Sequence, residues 1–290
     1  KLLAHPPALC NAVRRIALEA GEVILRYFDP DGAQSVWEKD DGSPVTCADR
    51  EAEALIHAAL ADITPGVPMI GEEASAQGHI PDLSGTEYFW MVDPLDGTKE
   101  FIAGREEFTV NIALIRFDGG AEVAAQEGAS PVGAGQEAPG RRGVPILGVV
   151  YAPAKGELYT GCGPGTALRW LEETDSEKPV RTRKAPPEGL TVATSRSHGN
   201  AAQIEKFLSE YKVAKLLRSG SSLKICAIAA GKADLYPRLG PTSEWDTAAG
   251  DAVLRAAGGR ITDLDGAPLV YGRAERKFIN PPFLARSGDV

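Results

Sequence analysis

Two carboxylates, Asp93 and Asp96, close an apolar run over residues 88–92, and Pro94 stands between them. A run of this kind that ends in Pro and Gly predicts a buried strand leading into a tight turn. Two carboxylates at the end of a buried strand repel each other and are poorly solvated unless a positive charge lies between them. Because only oxygen ligands are offered, a hard cation such as Mg²⁺ is the natural candidate.

Asp93 and Asp96 also allow a simpler interpretation, because Asp-Pro and Asp-Gly pairs are common in turns. Four further acidic residues could join the pair, each with an ordinary alternative: Asp49 in a helix capping box, Asp246 as a helix N-cap, and Glu72 and Glu73 in a solvated loop. Taken one at a time, these residues do not decide between a metal site and a set of turn and capping residues, and both interpretations stay open.

The composition limits the class of protein. The chain has 290 residues, of which 43% are hydrophobic and 24% are charged, as in folded globular proteins of one or two domains. No apolar run is long enough to span a bilayer, which predicts no integral membrane segment. The net charge of −9 argues against nucleic-acid binding, which needs basic patches. An anionic substrate would therefore need positive charge from metals, local Lys or Arg, or helix N-termini.

Four widely spaced cysteines, with no Cys-x-x-Cys motif among them, are Cys10, Cys47, Cys162 and Cys226. This spacing indicates free thiols in a reducing compartment. We therefore expect a cytoplasmic protein, with peripheral attachment to the inner membrane left open. The four histidines are scattered along the chain, which argues against a zinc site.

The apolar pattern predicts the elements that position these residues. Amphipathic helices are expected over about residues 9–28 and from Thr46 onward, and strands at 69–70, 89–92, 109–117, 146–151 and 157–160. Residues 118–143 lack apolar periodicity and predict a surface insertion, and the charged segment 171–189 predicts an inter-domain link. After residue 190, strands and helices alternate, which is typical of an α/β unit.

The acidic residues occur in the order of a known family pattern. The series is Asp49, Gly71-Glu72-Glu73, Asp93-Pro94-Leu95-Asp96-Gly97-Thr98, Trp245-Asp246 and Gly258-Gly259. It resembles the lithium-sensitive, Mg²⁺-dependent phosphomonoesterases of the inositol monophosphatase and fructose bisphosphatase superfamily, over most of the chain. The resemblance implies an α+β fold, a layered αβαβα sandwich. Its two parts would be an N-terminal metal-binding α+β domain at 1–185 and a C-terminal α/β domain at 186–290.

The same resemblance implies a role for each residue of the series. Two or three Mg²⁺ ions would be held by Glu72, Asp93, the backbone carbonyl of Leu95, Asp96 and Asp246. Asp49 and Thr98 correspond to the pair that orients and deprotonates the attacking water, with Glu72 assisting. Gly97 and Thr98 would offer backbone N–H groups to phosphate oxygens. The implied mechanism is direct in-line attack of a metal-activated water on phosphorus, without a phosphoenzyme.

The second half resembles, more narrowly, the 3′(2′),5′-bisphosphate nucleotidase branch, which removes the 3′-phosphate of adenosine 3′,5′-bisphosphate (PAP) and often of its sulfated form, PAPS. By position, Ser221, Lys224 and Arg238 would bind the 5′-phosphate, His198 would lie near the adenosine and Glu244 would contact the ribose. The implied partner is a small phosphorylated nucleotide, and the protein would be a monomer or homodimer. An inositol or sugar-phosphate phosphatase and an inactive nucleotide-binding relative stay open as alternatives.

Overall fold

A computed structural model describes residues 2–32, 44–118, 141–196 and 201–290. The helices of these residues are α1 (Pro6–Leu25), α2 (Pro44–Ile63), α3 (Glu72–Ala76), α4 (Thr98–Ile102), α5 (Ala201–Leu208), α6 (Leu223–Ala229) and α7 (Ala248–Ala256). The strands are β1 (Met69–Gly71), β2 (Tyr88–Asp96), β3 (Thr109–Asp118), β4 (Arg142–Ala152), β5 (Glu157–Gly161), β6 (Leu168–Leu171), β7 (Ser176–Pro179), β8 (Leu190–Thr194), β9 (Val213–Arg218), β10 (Leu235–Arg238), β11 (Arg260–Asp263) and β12 (Phe283–Arg286).

The first sheet contains β1 to β7 in chain order. Strand β1 runs parallel to β2, and each later pair is antiparallel. Side chains of β2 alternate between its two faces, as the strand period requires. Trp90 and Val92 pack in one core with helices α1 and α2, whereas Phe89 and Met91 pack in the core on the opposite face.

The second sheet has the strand order β11-β12-β10-β8-β9, with β8 parallel to both β9 and β10. Helices α6 and α7 lie between the two sheets, because their apolar residues share one core with Phe89 of the first sheet and Ala285 of the second. Helix α5 covers the outer face, where Phe207 packs against Val192 and Leu235. These layers confirm the predicted αβαβα sandwich.

The prediction of an inter-domain link over residues 171–189 is wrong for residues 171–179. Strands β6 and β7 instead form a hairpin at the edge of the first sheet, with Leu171 paired to Ser176. An exposed edge strand carries polar and charged side chains, such as Glu177 and Lys178 here, so it lacks the apolar alternation that marks a strand. The division into domains at residue 185 stays a prediction, and it falls between the last strand of the first sheet and β8.

The other helices and strands that the pattern predicted lie within a few residues of their expected positions, whereas α3, α4, β11 and β12 were not predicted. Strand β3 ends at Asp118 and β4 begins at Arg142, so most of the expected insertion over 118–143 lies outside the described residues. None of the helices in the described ranges combines the length and the apolar character that crossing a membrane would require.

Candidate active site

Glu72 and Asp93 lie side by side because their strands are neighbours. The parallel pairing of β1 with β2 places Gly71 opposite Val92, and each carboxylate follows at the next position. Asp93 is buried, with 1% of its surface exposed. The register of β2 against β3 shifts between Asp93 and Asp96, where Pro94 has no N–H to offer the ladder. Because of this irregularity, the carboxylates of Asp93 and Asp96 lie close together at the end of β2.

Asp93, Asp96 and Asp246 form a compact cluster. One carboxylate oxygen from each lies within 4.8 Å of the others. Asp246 comes from a 3₁₀ helix, Glu244–Asp246, and its Oδ2 accepts a hydrogen bond of 2.9 Å from the backbone N–H of Ser243. Asp96 accepts one of 2.6 Å from the backbone N–H of Ser222. Residues from both halves of the chain therefore build the cluster.

Burial makes these carboxyl groups hard to ionise together. It raises the pKa of Asp246 to about 8, and the charge of Asp96 adds to the shift. Burial also raises the pKa of Glu72 to about 7 and that of Asp93 well above its ordinary value, where Glu72 and Asp96 add repulsion. A cation among these oxygens would remove the penalty, and carboxylate oxygens are the ligands that Mg²⁺ prefers. The residues present therefore fit a divalent metal site.

Helix α2 contributes two acidic residues to the same region. Asp49 is 9% exposed, and burial, with Glu73 and Glu72 nearby, raises its pKa to about 8. Four residues later, and so on the same face of the helix, Glu53 accepts hydrogen bonds of 2.8 Å from the backbone N–H groups of both Glu73 and Ala74. Glu53 thereby fixes the start of α3, which carries Glu72. Sequence reasoning missed Glu53, although its i, i+4 spacing from Asp49 could have indicated it.

Gly71 is needed for this contact. A Cβ added there would lie 2.5 Å from the carboxyl carbon of Glu53. Gly97, which precedes α4, has a φ of +96°, a left-handed conformation that favours glycine. It turns the chain so that Thr98 is exposed and lines a cleft beside the acidic cluster. Leu95 is buried, and its N–H donates a hydrogen bond of 3.0 Å to Asp93.

A cleft of about 250 Å³ adjoins the acidic cluster. Its lining includes Asp96, Gly97, Thr98, Ser221, Lys224, Tyr236, Arg238 and Asp246, which brings predicted metal and substrate residues together. Lys224 is 5% exposed and donates a hydrogen bond of 2.6 Å to the carbonyl of Ser221. Burial lowers the pKa of Lys224 to about 8, against the opposing effect of Asp96. Lys224 is therefore a buried cation of the cleft and not a solvated residue on a helix face.

Arg238 also lines the cleft. Its Nη2 donates a hydrogen bond of 3.2 Å to the carbonyl of Pro241, while its buried Nε has no partner among the described residues. Ser221 has a φ of +47°, which is rare for a residue with a side chain and is typical of functional sites. The turn before α6 is thus held in an uncommon conformation beside the two cations.

A buried polar network that the sequence did not predict supports this turn. The Ser222 hydroxyl donates a hydrogen bond of 2.7 Å to Oδ1 of Asn111 and lies 2.8 Å from the Thr109 hydroxyl. Asn111 and Thr109 belong to β3, so the network joins the central sheet to the second half of the chain. No motif marks these residues, since Ser, Thr and Asn in such positions are common in any fold.

Glu244, a predicted substrate residue, is not among the described residues that line the cleft. Glu244 is 1% exposed, and its carboxylate accepts hydrogen bonds of 2.5 Å and 3.1 Å from the backbone N–H groups of Gly272 and Arg273. The carboxylate of Glu244 thus anchors a loop, and the expected ribose contact stays a prediction. His198 lies outside the described residues.

The structure also tests the interpretations of the acidic residues as capping or loop residues. Asp49 lies within α2, which begins at Pro44, so it does not complete a capping box with Thr46. Glu72 and Glu73 begin α3 and are partly buried, not solvated loop residues. Asp246 is not a helix N-cap, because Ser243 caps the 3₁₀ helix and Thr247 precedes α7. Asp246 instead completes the capping box of Ser243 and lies in the cluster with Asp93 and Asp96.

The sequence matches the inositol monophosphatase family over residues 8–125 and 140–285. The 3′(2′),5′-bisphosphate nucleotidase CysQ of Escherichia coli strain K12 is 40% identical over 275 residues, 95% of this chain and 98% of that protein. CysQ of Buchnera aphidicola is 37% identical over 279 residues, 96% of this chain and 93% of that protein. The crystal structure of CysQ from Bacteroides thetaiotaomicron superposes with a TM-score of 0.76 at 34% identity, covering 97% of both chains.

The match extends over nearly the whole chain and includes each part of the acidic series. On this basis, and with the layered fold, the chain belongs to the inositol monophosphatase family.

Proposed function

We propose that this protein is a Mg²⁺-dependent phosphomonoesterase that removes the 3′-phosphate of PAP, giving AMP and phosphate, and that also acts on PAPS. The observation that carries the proposal is a single cleft whose lining combines Asp96 and Asp246 of the acidic cluster with two cationic side chains, the buried Lys224 and the partly buried Arg238. The CysQ relatives support the same substrate class, since they are named 3′(2′),5′-bisphosphate nucleotidases.

The acidic side of the cleft would hold two or three Mg²⁺ ions. Their ligands would be Glu72, Asp93, Asp96, Asp246 and the backbone carbonyl of Leu95. Bound there, the metal supplies electrophilic stabilisation of the charge that builds up on the phosphate and on the leaving oxygen. The raised pKa values of the carboxyl groups fit this role, because the ionised cluster needs compensating charge.

Asp49 and Thr98 would act on the attacking water. Burial raises the pKa of Asp49 to about 8, which makes its carboxylate a better proton acceptor than an ordinary Asp. The exposed Thr98 hydroxyl lies at the cleft and can orient the water, and Glu72 assists from the neighbouring strand end. Backbone N–H groups of Gly97 and Thr98 would hold the phosphate oxygens during the attack.

Lys224, Arg238 and Ser221 would bind the second phosphate of the nucleotide. The second phosphate of a bisphosphate nucleotide needs positive charge of its own, because metal ions at the acidic cluster would bind the phosphate that is removed. The net charge of the protein is negative, so this positive charge must come from local side chains. The ammonium group of Lys224 lies 5.3 Å above the Tyr236 ring, and both side chains line the cleft with Arg238. Ion pairing with a phosphate would compensate the burial of Lys224 and would satisfy the buried Nε of Arg238.

A panel of phosphate esters tests the proposal. Phosphate release would be measured with Mg²⁺ on PAP, PAPS, inositol 1-phosphate and fructose 1,6-bisphosphate. We expect the highest kcat/KM for PAP or PAPS. Faster hydrolysis of inositol 1-phosphate would favour an inositol phosphatase instead, and no release from any ester would favour a nucleotide-binding relative without activity. We further propose that the enzyme acts in the cytoplasm, in keeping with its four free cysteines.

A further inference from the structure

A second cavity, of about 330 Å³, lies close to the segment that carries Asp246. Glu244 lines this cavity, whereas Asp246, two residues later, lines the active-site cleft. Among its described lining residues are five arginines from β3, β4, α7 and the segment after residue 272: Arg116, Arg142, Arg255, Arg273 and Arg276. Such a concentration of positive charge is unexpected in a chain whose net charge is −9.

The described lining has five arginines against three carboxylates, and two of these carboxylates, Glu244 and Asp263, direct oxygens to backbone N–H groups. Glu244 accepts hydrogen bonds from two backbone N–H groups, as described above. Oδ1 of Asp263 likewise accepts hydrogen bonds of 3.0 Å and 2.8 Å from the backbone N–H groups of Asp265 and Ala267. Of the three carboxylates in the described lining, Asp118 alone forms an ion pair with a lining arginine, Arg116, at 3.4 Å. The cavity therefore keeps an excess of positive charge.

Arg142 and Arg276 carry that excess. Within the cavity, Arg255 is paired with Asp251, and Arg273 with Glu275. In the parts of the chain that the structure describes, no carboxylate forms an ion pair with Arg142 or with Arg276, and both residues are exposed. Guanidinium groups that converge without a counter-charge repel one another, and a tetrahedral oxyanion matches their donor geometry.

We propose that this arginine-lined cavity is a second oxyanion-binding site, separate from the active-site cleft, that takes a phosphate or sulfate group. The group could be a free ion or part of an organic ester. A neighbouring cavity of about 440 Å³ shares Arg116 and Arg255 with it and continues along Leu9, Leu114 and Leu147, so an apolar body attached to the group would have space there.

The site has a direct structural connection to the active site. Asn280 lines the arginine cavity and is 5% exposed. Its Nδ2 donates hydrogen bonds of 2.8 Å to the carbonyl of Ser243 and 3.0 Å to the hydroxyl of Thr247. Those two residues stand on either side of the 3₁₀ helix that presents Asp246. An oxyanion in the cavity would therefore lie near Asn280, whose hydrogen bonds hold the 3₁₀ helix that presents Asp246 to the active site.

Arginine Nε–Hε signals of ¹⁵N-labelled protein can test the site without any measurement of activity. Metal-free protein would be titrated with inorganic sulfate and with 4-nitrophenyl sulfate, probes that a phosphatase does not consume. The variants are Arg142→Ala/Arg276→Ala, the active-site variant Lys224→Ala, and Arg15→Ala/Lys206→Ala, which removes two exposed charges elsewhere. Because the first pair of arginines is exposed, we expect that double variant to fold.

We expect saturable binding in the unmodified protein, in Lys224→Ala and in Arg15→Ala/Lys206→Ala. In Arg142→Ala/Arg276→Ala the apparent Kd should rise about tenfold or more, since charge-assisted hydrogen bonds are lost. Tighter binding of the aryl sulfate would assign an organic ester to the site, and equal binding a free oxyanion. Equal Kd values in the two double variants, loss of all binding in Lys224→Ala, or no saturation by either probe would overturn the proposal.

Discussion

The backbone N–H of Ser222 donates a hydrogen bond of 2.6 Å to Oδ2 of Asp96. This bond joins the last residue of β2 to the residue that precedes α6, and Lys224 lies in the first turn of that helix. One contact therefore sets the distance between the acidic cluster and the cation proposed to bind the 5′-phosphate. It explains how two halves of the chain, 126 residues apart at this point, define a single substrate geometry.

Replacing Asp93 by Asn should abolish activity while preserving the fold. The substitution removes the central carboxylate of the cluster, which should cost several kcal/mol of transition-state stabilisation, about a thousandfold or more in rate. It also removes a buried carboxyl group whose ionised form is opposed by burial and by repulsion from Glu72 and Asp96, so the metal-free variant should melt at the same temperature as the unmodified protein or above it. Phosphate release and thermal melting check both parts. Near-normal turnover by Asp93→Asn would contradict the metal site.

Replacing Lys224 by Ala should change substrate preference more than basic catalysis. A charge-assisted hydrogen bond contributes about 1.5–3 kcal/mol, so kcat/KM for PAP should fall about 10- to 100-fold. A nucleoside 3′-monophosphate lacks the 5′-phosphate and should lose much less. Lys215→Ala, an exposed lysine on β9, is the matched control and should leave both rates unchanged. Equal losses on the two substrates would argue against the 5′-phosphate role of Lys224.

Replacing Glu53 by Ala should weaken metal binding from a distance. The backbone N–H groups of Glu73 and Ala74 would lose their acceptor, at a cost of about 1–3 kcal/mol of folding stability for each group left buried. Because α3 would then be less well fixed, the Mg²⁺ concentration for half-maximal activity should rise about 10- to 100-fold.

Glu53→Gln keeps one oxygen acceptor and should fall between Glu53→Ala and the unmodified protein in stability and in Mg²⁺ requirement. Glu19→Ala, on the exposed face of α1, serves as the control. An unchanged Mg²⁺ requirement in Glu53→Ala would show that Glu53 does not position Glu72.

The stability of the metal-free protein should fall as pH rises from about 5 to about 8. Burial raises the pKa of Asp49 and Asp246 to about 8 and that of Glu72 to about 7, whereas in the unfolded chain these groups titrate at about 4. Their contribution is complete below the unfolded pKa and is lost as pH passes the folded pKa, because the folded state retains protons that the unfolded state has released.

Mg²⁺ should reverse this trend, since the ion binds the ionised carboxylates and gives more stabilisation as they lose protons. Melting temperatures with and without Mg²⁺ at several pH values provide the measurement. The increment from Mg²⁺ should grow between pH 6 and 8. A metal-free melting temperature that rises over this range, or an increment that does not depend on pH, would contradict these pKa assignments.

Glu244 should prove to be structural. Glu244→Ala leaves the N–H groups of Gly272 and Arg273 without their acceptor and should cost about 1–3 kcal/mol of stability. The ratio of kcat/KM for PAP to that for inositol 1-phosphate should stay constant, because Glu244 does not line the described cleft. A fall in that ratio would support the ribose contact expected from the sequence.

The acidic cluster could be predicted because its residue types, their order and the strand ending at Asp93 belong to a pattern that few other chains share. The family and the layered fold were confirmed for the same reason. The i, i+4 spacing of Asp49 and Glu53 places both on one helix face, but it does not predict the contact between Glu53 and α3, which joins elements 20 residues apart through backbone N–H groups. The edge hairpin at β6 and β7 was missed because exposed pairing leaves little apolar signal.

The position of Glu244 illustrates another limit. Its place beside Trp245-Asp246 suggested the substrate, but adjacent residues of a tight 3₁₀ helix face different directions, and Glu244 turns toward the loop at Gly272. Residues that are close together in a motif, such as Glu244 and Asp246, can therefore lie in different environments in the folded protein.

The most direct test of the central claim compares initial rates of phosphate release from PAP and from inositol 1-phosphate, with Mg²⁺, by the unmodified protein and by Asp93→Asn side by side. The nucleotide product of PAP would be identified in the same reaction. We predict a higher kcat/KM for PAP, 5′-AMP as the product, and no measurable turnover by Asp93→Asn. Faster hydrolysis of inositol 1-phosphate, or release of the 5′-phosphate from PAP, would contradict the assignment of Lys224 and Arg238 to the 5′-phosphate.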